Sequence, residues 1–117
     1  MFTNRGLVEF VKKALQEKWK YVWGTFGQTL TESLLEQKLK QYPNEIIPYE
    51  SFIRSNSLGK RVVDCIGLIK AYLWSATGEV IYDAKTDMGA NRVYELAIEK
   101  GPLDSIPEIP GLCVYKK

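Results

Sequence analysis

The stretch that most constrains this chain is residues 62–69, VVDCIGLI, where an aspartate, a cysteine and a glycine interrupt an apolar run. Aspartate is a good helix N-cap, because its carboxylate accepts hydrogen bonds from the free N–H groups of the first turn. A helix that starts at Asp64 places Cys65 in its first turn. Unpaired N–H groups and the helix dipole there favour a thiolate. Gly67 costs about 1 kcal/mol of helix propensity relative to alanine. Its presence implies a close approach, by another backbone or by a substrate. Together these features describe an activated nucleophile at the head of a buried helix. The plainer reading stands beside it: a free cysteine packs well as a small hydrophobe, Asp64 only caps, and Gly67 only serves packing.

The rest of the chain sets the context. Its 117 residues are enough for one domain with one core. Lysines and arginines alternate with acids and the net charge is only +2, so no basic stripe argues for nucleic acid. The first ten residues, MFTNRGLVEF, lack the apolar core of a signal peptide. No apolar run approaches the roughly 18 residues of a membrane span. The chain reads as synthesised as a soluble cytoplasmic protein. Cys65 and Cys113 lie far apart in a chain without an export signal, so two separate thiols are expected rather than a disulfide. Cys113, inside the apolar LCVY, reads as a buried structural thiol.

Helical spacing of Leu7, Phe10, Val11, Ala14 and Leu15 predicts a first helix over 3–18, capped by Thr3 or Asn4. The segment WKYVWGTFG reads as irregular and packed by Trp19, Tyr21, Trp23 and Phe26. Thr29 and Glu32 have capping-box spacing before a second helix over 30–42. Residues 43–61 read mostly as loop, with a helical turn over 49–54. The third helix, from Asp64 to a stop at Gly78, is apolar nearly all round and is expected to be central. A short extended piece is expected in GEVIYDA and a fourth helix over 90–100, closed by Gly101. The three prolines of GPLDSIPEIPG exclude regular structure there. LCVYKK is expected to close the chain as a strand.

YVWG at 21–24 followed by DCIGLIKAYLW at 64–74 resembles the NlpC and p-sixty family of cell-wall cysteine peptidases. IPEIPGLCVYKK resembles that family's approach to its first core strand. The resemblance implies a papain-like α+β fold, with a cysteine-bearing helix packed on an antiparallel sheet. It implies an endopeptidase that cuts the γ-D-glutamyl bond to the diamino acid of peptidoglycan stem peptides, with no cofactor and no metal. Residue by residue it gives Cys65 as the nucleophile. Tyr21 is a substrate contact near it, Asp64 holds the ammonium of the stem peptide, and Trp23 lines the groove. Gly67 is structural at the site. A non-catalytic module that binds a stem peptide or a protein, and a related cell-wall amidase, are the alternatives.

The sequence departs from that pattern in three places. Ile66 stands where the family has serine. The link from Gly24 to Asp64 is longer. The chain contains no histidine, so a cysteine nucleophile lacks its usual base. Residues 1–117 are therefore expected to be one incomplete catalytic domain, inactive alone, with the histidine beyond Lys117 or absent. Within that reading the whole enzyme acts at the cell wall as a phage or prophage lysin. An unpaired closing strand would make a homodimer.

Overall fold

The computed structural model describes residues 2–76, 78–97, 100–102, 104, 109 and 111–113. Helix α1 spans Asn4–Gln16, and its N-cap Thr3 accepts from the Gly6 N–H through Oγ1 at 2.9 Å. Two short strands follow, β1 at Lys20–Tyr21 and β2 at Phe26–Thr29. Helix α2 spans Glu32–Gln41, α3 Pro43–Ile46 and α4 Glu50–Asn56, with a 3-10 turn at Ile47–Tyr49 between the last two. Strand β3 at Arg61–Val63 leads into α5 at Cys65–Leu73, and α6 spans Ala90–Leu96. The class is α+β: helices around one small mixed sheet of order β1-β3-β2.

The central strand β3 runs parallel to β1 and antiparallel to β2. The β2 register slips between Phe26 and Gln28, where Gly27 sits at φ +107°. A glycine there takes up a backbone bend that a side chain would resist. The core gathers Val22, Leu30 and Val62 from the strand region with Leu35, Ile46 and Ile53 from α2, α3 and α4. Burying an aliphatic side chain of this size contributes roughly 1.5–3 kcal/mol. Helix α5 packs on β2 and β3, and α1 packs on α5. Tyr72 secures the α1 contact: its hydroxyl accepts from the Thr3 N–H at 3.0 Å and its ring meets Phe2 and Phe10.

Several expectations change. The aromatic segment after α1 is not irregular; it supplies two of the three strands, because β3 offers them backbone partners about 40 residues on. Thr29 pairs with Arg61 in the sheet, so Thr31 caps α2 instead, accepting from the Leu34 N–H at 3.1 Å. Residues 43–56 are helical rather than loop, helped by Pro43 at the first position of α3 and by the Arg54–Glu50 ion pair of α4.

Further along, α5 ends at Leu73 and is only half-buried, with Leu73 and Cys65 facing solvent. GEVIYDA forms no strand among its described residues. It is tied down by Trp74, Phe26 and Tyr82, whose rings meet at 5.1–5.6 Å. Helix α6 stops at Leu96 with Ala97 as its extended C-cap, not at Gly101, and Leu96 is exposed. Leu112 and Cys113 lie outside any strand, and Cys113 is exposed rather than buried. Residues 114–117 of the expected closing strand lie outside the described residues. No helix among the described residues is long and apolar enough to cross a membrane.

Candidate functional site

The local chemistry begins at the junction of β3 and α5. Asp64 has extended backbone and caps α5. Its Oδ1 accepts from the Gly67 N–H at 2.6 Å and its Oδ2 from the Gly24 N–H at 2.9 Å. Its own N–H donates to the Thr25 carbonyl at 3.0 Å. One carboxylate therefore ties the turn between β1 and β2 to the head of α5. Gly24 sits at φ +81° against the Tyr42 ring, and a Cβ added there would strike that ring. A Cβ on Gly67 would overlap the Thr25 carbonyl oxygen. The approach that requires a glycine at 67 is thus made by a backbone. Thr25 closes the turn, its hydroxyl donating to the Val22 carbonyl at 2.7 Å.

Cys65 emerges from this junction exposed to solvent. Tyr21, at the end of β1, pairs with Val63, two residues before Cys65. Desolvation pushes the Tyr21 hydroxyl above its ordinary 10.0, and the nearby Cys65 and Asp64 charges push it further. The phenol thus stays protonated and able to donate a hydrogen bond.

Tyr21 and Trp23 also border a groove of about 520 Å³. Its floor is Val22, Ile46 and Ile53, and Tyr49 and Phe52 form part of its wall. The aromatic side chains Tyr21, Trp23, Tyr49 and Phe52 are between 44% and 66% exposed. Tyr49 and Phe52 escaped the sequence reading. They stand three residues apart, and the helical turns of 43–56 bring them to the groove that Tyr21 and Trp23 also line. The Glu50 to Arg54 spacing was the available signal for that helix.

A polar cluster around Lys38, Lys70 and Asp87 has no local sequence motif to announce it. Lys38 is only 6% exposed; its Nζ donates to Gln41 Oε1 at 3.0 Å and lies 5.6 Å from the Tyr42 ring centre. Burial pulls its ammonium below the ordinary range, against the opposing pull of Asp64 and Asp87. Lys70 donates to Asp87 Oδ1 at 2.7 Å, and the Tyr82 hydroxyl to Asp87 Oδ2 at 2.9 Å. The Lys70 bond is the main cause that holds the Asp87 carboxyl below its usual range. Among the described residues no group of three or more His, Cys, Asp or Glu side chains could hold a metal ion.

No known family model matches the chain, and no solved structure matches it. It is 22% identical over 99 residues to the ribosomal RNA small subunit methyltransferase I of Buchnera aphidicola subsp. Acyrthosiphon pisum (strain APS). The alignment covers 83% of this chain and 34% of the relative, so the chain spans about a third of that protein's length. These findings overturn the resemblance to NlpC and p-sixty peptidases. The readings as a peptidoglycan hydrolase, cysteine endopeptidase, cell-wall amidase or phage lysin fall with it. The physical reason lies in the motif itself. Asp64 spends both oxygens on backbone N–H groups, and Gly67 makes room for the Thr25 carbonyl. The aspartate and the glycine of D-C-x-G-L are accounted for by capping and packing, and the chain has no imidazole to serve as base.

Proposed function

We propose that the groove bordered by Tyr21 and Trp23 is a ligand-binding site, that Cys65 is the reactive group at its margin, and that the chain is an enzyme or part of one. One observation carries this reading. Four aromatic side chains stay part-exposed around a single concavity, and one of them, Tyr21, also flanks an exposed thiol at a helix start. Apolar walls with a few polar groups are what small-molecule sites are made of. Asp64 acts here as a positioning residue that fixes the head of α5 and hence Cys65. Similarity to a protein named as a methyltransferase supports an enzyme in the broad sense. The papain-like form of the α+β class rests on one feature, a cysteine-headed helix laid against a sheet.

The test compares N-phenylmaleimide with N-methylmaleimide on the intact chain, reading Cys65 and Cys113 separately by peptide mass spectrometry. Both thiols are exposed, so Cys113 serves as the internal reference. A ring held by the groove should raise the Cys65 to Cys113 rate ratio about fivefold, the equivalent of roughly 1 kcal/mol of aromatic contact. Phe52→Ala should remove most of that gain. Equal ratios for both reagents would overturn the reading.

A second reading follows from the methyltransferase similarity alone: the chain is part of an enzyme that modifies ribosomal RNA. Filter binding to a small-subunit ribosomal RNA fragment decides it. Affinity that falls steeply between 50 and 200 mM salt supports this reading, because phosphate contacts release counterions. No binding at 50 mM salt rejects it.

A further inference from the structure

The groove is electrically lopsided. Glu45 is its one charged lining residue, and neither lysine nor arginine lines it, although the chain carries net charge +2. Among the described residues the Glu45 carboxylate has no ion pair and no hydrogen bond. The four rings are open in the same sense. Elsewhere the protein places its own cations over aromatic faces: Arg61 over Trp19, Lys38 over Tyr42, Lys70 over Trp74 and Lys100 over Tyr94. Among the described residues no cation lies over Tyr21, Trp23, Tyr49 or Phe52, and no ring–ring contact joins any two of them.

Aromatic faces carry negative potential and attract cations, most strongly where water is excluded. A weakly hydrated cation, with its charge spread over alkyl groups, gains from the rings and from the apolar floor together. A compact ammonium must instead shed a tightly held water shell. Resting on the reading of the groove as a ligand site, we infer that it selects a ligand with an alkylated ammonium group, held against Tyr21, Trp23, Tyr49 and Phe52 and neutralised by Glu45.

Tetramethylammonium tests this against tert-butanol, a neutral molecule of similar shape. Both are titrated into the full chain at matched ionic strength set with sodium chloride, following the Trp23 indole N–H by NMR. The cation should shift that signal to saturation and bind at least about tenfold more tightly than the alcohol. Glu45→Gln should weaken the cation several-fold and leave the alcohol unchanged. Equal affinity for both overturns the charge selection and leaves the groove reading standing. If neither shifts Trp23 while Cys65 keeps its preference for phenylmaleimide, this inference alone falls. If that preference is absent too, both fall.

Discussion

The junction at Asp64 and the groove at Trp23 lie close together and are built on opposite terms. At the junction, backbone and side chain satisfy each other: both Asp64 oxygens are taken by N–H groups and Gly67 lies under a carbonyl. In the groove, four rings stay part-exposed, and among the described residues the Glu45 carboxylate has no ion pair. The difference separates two neighbours in sequence. Asp64 belongs to the architecture, and Cys65 faces outward from it. A motif that looks wholly chemical is largely a device for fixing α5 to the turn between β1 and β2.

Substitutions can break this contrast. The largest effect is expected for Gly67→Ala. On an open helix surface it would stabilise by about 1 kcal/mol through helix propensity. Against the Thr25 carbonyl it should destabilise instead, by about 3 kcal/mol, read from urea denaturation. A gain in stability would show that the close approach does not exist. Asp64→Ala comes next. It strips two backbone N–H groups of their acceptor and should cost about 2 kcal/mol. If the loss is only a few tenths, Asp64 is free for another task.

Lys38 gives a pH-dependent contrast. Because burial lowers its pKa, folding favours the neutral amine. Stability should therefore rise as pH climbs through the folded-state pKa toward the ordinary 10.5. Lys38→Met should lose that rise. Tyr21 and Tyr82, whose hydroxyls are pushed above 10.0, act in the opposite direction in both proteins and cancel in the comparison. Parallel stability curves for the two proteins from pH 7 to 10.5 would contradict the burial effect. The smallest effect is expected for Phe52→Ala. An exposed ring on α4 contributes little to folding, so the change in stability should stay within about 0.5 kcal/mol, while the phenylmaleimide preference at Cys65 drops. A large loss of stability would place Phe52 in the core.

What the sequence made legible was mostly local. Asp64 was readable as a cap, and Thr3 as one of two candidates with Asn4, because a capping oxygen meets an N–H only three residues away. Tyr21, Trp23, Asp64, Cys65 and Gly67 could be named as site candidates from short motifs. The sheet was not readable. β1 and β2 are two and four residues long, and the strand that pairs them lies far down the chain. Thr29 has capping-box spacing before α2, but it pairs with Arg61 in the sheet and Thr31 caps the helix. Tyr49, Phe52 and Glu45 became part of the groove only when 43–56 folded as successive helical turns. Cys113 is exposed although its local sequence is apolar, because burial needs a partner surface that local composition does not reveal.

The most direct test of the contrast between closed junction and open groove is chemical-shift mapping with N-phenylsuccinimide, the unreactive counterpart of the labelling reagent. The account predicts saturating shifts at the Trp23 indole and at the backbone amides of Tyr49, Phe52 and Cys65, with the Gly24 and Gly67 amides unmoved. Shifts confined to Gly24 and Gly67, or scattered away from the groove, would contradict it.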